Sequence, residues 1–348
     1  MSMPLVIGAS GFIGRHVRMR LFETHDIVQS WSPSYGMDSL PEIVQRADVI
    51  YHCAGATRTE TPTAWDRDLA VTRCMIANLK PTARVIYVSS VQSGQDSHYG
   101  SVKQQSEVEL AAWSERNPQG STWCPRLPNV YGKWAKPHHN SIVATWCHQL
   151  AKGEELSPIT GDQPNQYMHI DTVVDALVSP DKELHLSSGC LVTPSWIQST
   201  LRDGLANPAE FGYSTWISTV WSYQNPVAAT ENTHEDHRGV FYEFSKEEGQ
   251  VNYLTIRPSQ IRGNHWHHNR IETFVIYGRG LRLNAQHSQN SSLKLSFGSD
   301  DTYPMRVTVP PGWTHKLTNS SDRTYMVPLW TSDIFNPEKP DTVRQEIL

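Results

Sequence analysis

The chain predicts two domains of different class, an α/β domain followed by an all-β one, and three observations carry that reading. Short β-rich runs alternate with stretches of helical spacing from residue 4 to about 150, the rhythm of a parallel sheet. After residue 237 only short strands remain, separated by glycine or polar turns, as in a sandwich or small barrel. The length of 348 residues exceeds the size at which a single hydrophobic core normally keeps growing. A polar stretch from Thr230 to Asp236 follows Trp216, Val220, Trp221 and Tyr223, and the boundary is placed there, giving domains of 1–225 and 226–348.

Leu5-Val6-Ile7 reads as the first strand rather than an export signal, because it lacks a basic flank and runs straight into Gly8, Gly11 and Gly14. A G-x-x-G-x-x-G turn between a strand and a helix lets backbone N–H groups approach a pyrophosphate at the helix N-terminus. Gly8, Ser10, Gly11, Phe12, Ile13, Gly14 and Arg15 are therefore the candidate cofactor contacts. An NAD-selective site carries a carboxylate about twenty residues onward to bind the ribose hydroxyls. Here the second strand, Asp26–Trp31, ends in Ser30, Trp31 and Ser32, so a 2'-phosphate is tolerated and NADPH is the expected cofactor. Arg15 or Arg18 is its candidate counter-charge.

The third strand, Asp48–Tyr51, runs into Cys53-Ala54-Gly55, where Ala54 and Gly55 add cofactor contacts. Trp65, Leu69, Met75, Ile76 and Leu79 mark a helix, and Arg84–Val88 is the fourth strand. That strand delivers Ser89 and Ser90, and Tyr99 and Lys103 follow at a spacing of four, which puts phenol and ammonium on one helical face. Such a pair suits carbonyl reduction: the cation favours the phenolate, the serine hydroxyl hydrogen-bonds the carbonyl, and the tyrosine protonates the alkoxide as hydride arrives. The catalytic candidates are Ser90 or Ser89, Tyr99 and Lys103. A second Y-x-x-x-K, Tyr242 to Lys246, lies in a strand-like run and is set aside as a decoy. Val91 and Gln92 follow the serines and can act as neither acid nor base.

Residues 151–215 are less regular, with helical pieces at Thr172–Leu177 and Ser195–Leu205, as expected of a substrate-covering region. The all-β half predicts strands at Val240–Phe244, Val251–Ile256, Thr273–Tyr277, Met305–Val309 and Thr324–Leu329, with a hairpin-like stretch at Asn284–Ser292. His265 and His267 lie two apart and so face one side of a strand. With Glu272, and with His315 after the Pro310-Pro311-Gly312 turn, they offer three imidazoles and a carboxylate, a set suited to Zn2+ or another divalent transition metal. His268 competes with His267 for the place.

A net charge of -5 without a Lys/Arg block excludes nucleic acid and an anionic membrane surface as expected partners. No run of 18 apolar residues occurs, so no transmembrane helix is expected. Five cysteines without a C-x-x-C pair read as reduced thiols of a cytoplasmic protein.

The glycine turn, Cys53-Ala54-Gly55, the serines and Tyr99/Lys103, in that order, resemble the extended short-chain dehydrogenase/reductase family, whose fold is Rossmann-type. Arg126-Leu127-Pro128-Asn129-Val130-Tyr131-Gly132 resembles its R-x-x-N-x-Y-G segment, and Met168-His169-Ile170-Asp171 its later V-x-D segment. That likeness makes Asn129 and Arg126 the candidate substrate contacts. The metal set resembles the cupin jelly roll. With Lys133-Trp134, Gly263–His268 and Phe335–Thr342 added, nearly the whole chain is similar to the bifunctional capsular-polysaccharide reductases. The resemblance implies a homodimer whose cupin epimerises carbon 3 of a UDP-linked 4-keto-6-deoxy-N-acetylhexosamine. Its first domain then reduces the 4-ketone with NADPH to UDP-6-deoxy-N-acetyl-L-talosamine, on the route to N-acetyl-L-fucosamine of surface polysaccharide. Two departures stand out: Ser30 and Ser32 replace the family's basic residue, and Ala70-Val71 replaces its usual Asn-Val. The competing readings are an NAD-dependent sugar-nucleotide 4-epimerase whose cupin only dimerises, and a nucleotide-sensing scaffold without catalysis.

Overall fold

A computed structural model describes residues 2–56, 63–179, 189–206, 214–230, 233–236, 239–242, 250–299, 303–333, 336 and 338–347. Lys246, the end of the expected strand Val240–Phe244, and Phe335 and Pro337 lie outside the described residues. The chain forms two compact units, one of Met1–Thr145 with Ile159–Ser195, the other of Trp146–Pro158 with Trp196–Leu348.

In the first unit, β1 (Pro4–Ile7), β2 (Gln29–Trp31), β3 (Val49–His52), β4 (Arg84–Tyr87), β5 (Ser89–Ser90) and β6 (Ser121–Trp123) alternate with helices α1 (Phe12–Phe22), α2 (Leu40–Arg46), α3 (Thr63–Ala77) and α4 (His98–Arg116). Five of these strands make one parallel sheet in the order β2-β1-β3-β4-β6. Alternation along each strand feeds two cores. Leu5, Ile7, Ile50, Val85 and Tyr87 face α2, α3 and α4 residues such as Leu40, Val44, Val71, Met75 and Leu110. Val6, Tyr51, Ile86 and Val88 face Val17 and Leu21 of α1 and Val173, Val174 and Leu177 further along. The strand order reverses at β1, so the crevice beyond the ends of β1 and β3 is the switch point at which such sheets bind ligands. Short strands β7 (Arg126–Leu127) and β8 (Asn129–Tyr131) extend this end: β7 pairs β5, and β8 pairs β9 (Asn165–His169), both in parallel.

The second unit holds the helix Thr215–Trp221, in which Trp216, Ile217 and Val220 are buried, and Ser218 Oγ donates to Asn269 Oδ1 at 3.2 Å. Its body is a sandwich of two antiparallel five-stranded sheets. One contains the strands Val227–Thr230, Met305–Val309, Glu272–Ile276, Tyr325–Thr331 and Gln250–Ile256 in that order, and the other Asn290–Gly298, Leu281–His287, Trp313–Asn319, Ile261–Trp266 and Val343–Arg344. Ile256, Phe274, Ile276, Leu281, Leu283, Val307, Leu317 and Val327 fill the space between them. The polar stretch Asn284–Ser292 is indeed a hairpin, because its strands pair about residues 288 and 289.

His52, at the end of β3, is fully buried with Nε2 3.0 Å from Thr72 Oγ1, and burial, helped by the Lys103 charge, pushes its pKa down to about 3. Because the folded value lies below the unfolded one, acid protonates the unfolded chain first. The stability it contributes is complete above the unfolded value of 6.5 and is lost as pH falls towards 3. Urea unfolding at two pH values tests this: from pH 7 to pH 5 the unmodified chain should lose about 2 kcal/mol more than His52→Gln.

Candidate active site and metal centre

The glycine turn sits at the switch point because only glycines fit there. Gly8 has φ +82°, and a Cβ on it would lie 2.5 Å from the Ala54 nitrogen at the end of β3. A Cβ on Gly14 would overlap the Gly8 carbonyl, so both positions bring backbone against backbone. Gly11 caps α1 with no side-chain hydrogen bond to its first turn, which leaves those N–H groups for a ligand. At the end of β2, Ser32 replaces a carboxylate: its Oγ accepts Ser10 N–H at 3.2 Å and donates to Ser10 Oγ at 3.0 Å. Arg15 Nη2 donates to Ser10 O at 3.2 Å, and burial and the neighbouring Arg18 charge lower its pKa. No carboxylate pairs with either arginine among the described residues.

Ser97 caps α4 by accepting the Gly100 N–H at 3.0 Å, which fixes Tyr99 in the first turn and Lys103 in the second. Lys103 is buried and donates to Val88 O at 2.8 Å, with its Nζ 4.7 Å from the Tyr87 ring centre and 5.9 Å from that of Tyr99. Burial lowers its pKa, partly offset by Tyr99 and Asp68. A Cβ on Gly55 would stand 3.2 Å from the same ammonium, so the third-strand turn and the lysine share one small space. Of the two serines, Ser89 gives its hydroxyl to Glu107. Ser90 Oγ accepts Gln92 N–H at 3.2 Å and keeps its proton to donate. Tyr99 and Lys103 thus share the space beside Gly55 beyond the end of β3, and Ser90 lies two residues beyond Val88, whose carbonyl holds the ammonium.

Arg126 and Asn129 are placed differently from each other. Arg126 makes a two-point ion pair with Glu107, at 2.6 and 3.1 Å, so its guanidinium braces the strand that carries the serines. The pair, with Ser89, also holds the Glu107 carboxyl below its usual range against the effect of burial. Asn129 is exposed and donates to Gln166 O at 3.3 Å. Beneath them Lys133, 2% exposed, pairs with Asp171 at 2.9 Å and ties the Arg126–Gly132 segment to Met168–Asp171.

In the sandwich, His265 and Trp266 end one strand, His267 follows, Glu272 opens a strand of the opposite sheet, and His315 lies on the neighbour of the first. Ligand atoms of His265, His267, Glu272 and His315 all lie within 4.8 Å of one another. Glu272 Oε2 is 2.8 Å from His315 Nε2 and 3.4 Å from His267 Nε2. Those contacts lack hydrogen-bond angles, and Glu272 Oε2 and His267 Nε2 are buried without a hydrogen-bond partner. Four ligand atoms brought this close together, two of them buried without a hydrogen-bond partner, fit a shared cation. Burial opposes the Glu272 charge, yet His267 and His315 hold its carboxyl well below the usual range. His268 turns the other way and packs on Trp266, with ring centres 4.6 Å apart, which leaves His267 in the cluster.

Residues 4–179 match the NAD dependent epimerase/dehydratase family, and residues 234–343 match the polysaccharide biosynthesis C-terminal domain. The chain belongs to the NAD dependent epimerase/dehydratase family. It is 29% identical to UDP-2-acetamido-2,6-beta-L-arabino-hexul-4-ose reductase of Pseudomonas aeruginosa, over 97% of both chains. It is also similar to the crystal structure of the capsular polysaccharide assembling protein CapF from Staphylococcus aureus, with 26% identity, a TM-score of 0.55, and 99% of this chain and 100% of that one covered. A second crystal form of that protein, at 23% identity and TM-score 0.51 over 99% of both chains, shares the fold. As a member of the NAD dependent epimerase/dehydratase family the chain is an enzyme with a nicotinamide cofactor, and its C-terminal sandwich has the cupin fold.

Three residues near these sites escaped the sequence reading. Glu107 lies eighteen residues from the serine it holds. Asp68 accepts Ala56 N–H at 2.6 Å beside Lys103, and burial raises its pKa. Arg262 lines a cavity of about 130 Å³ with His265, Glu272, Phe274 and His315. A bulge between Gly263 and His265 skips one residue, so Arg262 opposite Leu317 and His265 opposite His315 face the same side. Positive φ at Gly263 (99°) and Asn264 (55°) makes the bulge, and Gly-Asn was its only trace in the sequence.

Gly8→Ala forces a strained φ and a clash with Ala54 together. Thermal unfolding should show a loss of about 2 kcal/mol or more, and fluorescence titration should show binding of the reduced nicotinamide cofactor abolished.

Proposed function

We propose that the chain is a bifunctional UDP-sugar enzyme: the cupin epimerises carbon 3 of a UDP-4-keto-6-deoxy-N-acetylhexosamine, and the epimerase/dehydratase-type domain reduces the 4-ketone with NADPH to UDP-6-deoxy-N-acetyl-L-talosamine. The reading is supported by the coexistence of the Tyr99/Lys103 pair and a three-histidine, one-carboxylate cupin site in a chain that is similar to a hexul-4-ose reductase over 97% of its length. That match does not favour a 4-epimerase with an idle cupin.

Gly8, Ser10, Gly11, Phe12, Ile13, Gly14, Arg15, Ala54 and Gly55 would hold the cofactor, with Tyr99 and Lys103 beside its nicotinamide. NADPH, when bound, supplies the hydride that reaches carbon 4. The Ser90 hydroxyl hydrogen-bonds the carbonyl oxygen, Tyr99 gives that oxygen its proton, and Lys103 stabilises the phenolate left behind until solvent reprotonates it. Lys103 is suited to this because a buried ammonium fixed by the Val88 carbonyl cannot turn away. The choice of NADPH is supported by the missing carboxylate after β2 and by Arg15 and Arg18, which leave room and positive charge for a 2'-phosphate. Asn129 contacts the sugar, while Arg126 acts through Glu107.

His265, His267, Glu272 and His315 would hold Zn2+ or a similar ion, which supplies a Lewis acid for the sugar's ketone and so acidifies the adjacent C–H. Arg262 offers the cavity a cation for the substrate's diphosphate. The five free cysteines are in keeping with the reducing cytoplasm, and no described helix is long and apolar enough to cross a membrane. The expected assembly is a homodimer, which light scattering would test.

The Tyr99→Phe variant tests the division of labour. In deuterium oxide it should still exchange the carbon-3 hydrogen of the 4-keto substrate, seen by NMR, while NADPH oxidation falls by about 10²–10⁴-fold. Normal reduction by this variant would remove Tyr99 from the chemistry. Arg262→Gln should raise the substrate concentration needed for half-maximal exchange by roughly tenfold, the scale of one charged contact, and leave NADPH binding unchanged.

A further inference from the structure

The last described residues of the chain are wound into the cupin's histidine site. Val343–Arg344 pairs antiparallel with the strand Ile261–Trp266, placing Arg344 opposite His265 and Val343 opposite Trp266. Gln345 N–H donates to Asn264 O at 2.9 Å, its Oε1 accepts Thr314 Oγ1 at 2.9 Å, and its Nε2 donates to Ser288 O at 3.1 Å. Just before this strand, one Asp341 carboxylate accepts three successive backbone N–H groups, from His268 at 2.8 Å and from Asn269 and Arg270 at 2.9 Å each. The backbone carbonyl of the same residue accepts His267 Nδ1–H, with Thr342 Oγ1 3.4 Å from that nitrogen.

Each contact bears on the ligand geometry. An Nδ1–H committed to a carbonyl leaves the His267 lone pair on Nε2, the nitrogen that points at Glu272. Residues 268–270 are the link between ligand His267 and ligand Glu272, and a carboxylate bonded to three consecutive amides fixes their course. Ile271 N–H donating to Ser332 Oγ at 3.0 Å and Arg270 Nε to Asp333 at 2.8 Å complete the link. A residue seventy-four positions away thus sets both the tautomer of one ligand and the span to the next.

We infer that Asp341 is a positioning residue of the cupin metal centre, and that its carboxylate and carbonyl form a clasp on residues 268–270 and His267 on which metal affinity depends. This rests on the metal reading made under the proposed function. The test uses the full chain and Zn2+, with a competing chelator to report affinity. Asp341→Ala keeps the carbonyl that accepts His267 Nδ1–H but frees the amides of 268–270, and should bind Zn2+ about 10-fold more weakly, the lower end of the cost of losing outer support of a ligand set. Asp341→Asn, which keeps one acceptor oxygen, should lose less, and Gln345→Ala, which touches neither His267 nor 268–270, should stay within about threefold of the unmodified chain.

Two further readouts separate positioning from mere support of the fold. The rise in melting temperature on adding Zn2+ should shrink in Asp341→Ala, and the visible absorption of the Co2+-loaded protein should shift in band position or intensity. An equal drop with and without metal, with the Co2+ spectrum unaltered, overturns the inference, as does Zn2+ affinity within about twofold of the unmodified chain. Should Asp341→Ala not fold, the same criteria apply to Asp341→Asn. An unmodified chain that binds neither ion overturns the metal reading itself, and the clasp with it.

Discussion

A buried ammonium organises the reductase half. Lys103 has been taken out of water into the crevice where the strand order reverses, and burying such a charge is costly unless every neighbour compensates. The Val88 carbonyl and the Tyr87 face at the end of β4, the Tyr99 ring of α4 and the nearby Asp68 carboxylate of α3 do so. The same need explains Gly55, whose missing side chain leaves room for the ammonium, while His52 is kept neutral by burial, to which the ammonium's charge adds. Placing one charge therefore constrains β3, β4, α3 and α4 together.

The cupin site follows the opposite logic, since its charges sit where two sheets face each other across an apolar core. Glu272 comes from one sheet and the histidines from the other, so the ligand set closes only when the sandwich does. A buried carboxylate among imidazoles is held ionised by them, and its Oε2 and the His267 Nε2 lie together without a hydrogen-bond partner. Phe274, Leu254, Leu317 and Leu329 line the rest of the cavity and keep its dielectric low, which strengthens the effect of any cation held there.

What the sequence made legible was what is local. Strands β1, β3 and β4 announce themselves by β-rich runs, and Gly8 and Gly14 by a backbone approach no other residue tolerates. Tyr99 and Lys103 are one helical turn apart, and His265 and His267 two residues apart, so their juxtaposition needed no knowledge of the fold. Partners brought from afar were not legible. Glu107 decides which serine is free, yet it lies a helix away from both. Arg262 faces the cavity only because a bulge breaks the alternation that sequence reasoning relies on. Asp341 returns to His267 from the far end of the domain. The helix Thr215–Trp221 has an apolar face that the sequence displays, but its company with the second unit depends on tertiary contacts such as Ser218 to Asn269.

Joining the two chemistries in one chain has a chemical rationale in the proposed reaction. A C–H next to a ketone is acidic enough to be removed by a modest base, and the same C–H next to an alcohol is not. Inversion at carbon 3 is therefore possible only while the 4-ketone persists, and reduction at carbon 4 ends it. A sugar that was reduced too early would be trapped with the wrong configuration, whereas one inverted first is fixed by the reduction. The two sites need no shared residue for this ordering. It follows from the substrate, provided that the cupin's exchange is fast relative to proton delivery by Tyr99, and a single polypeptide keeps the two activities in equal amount.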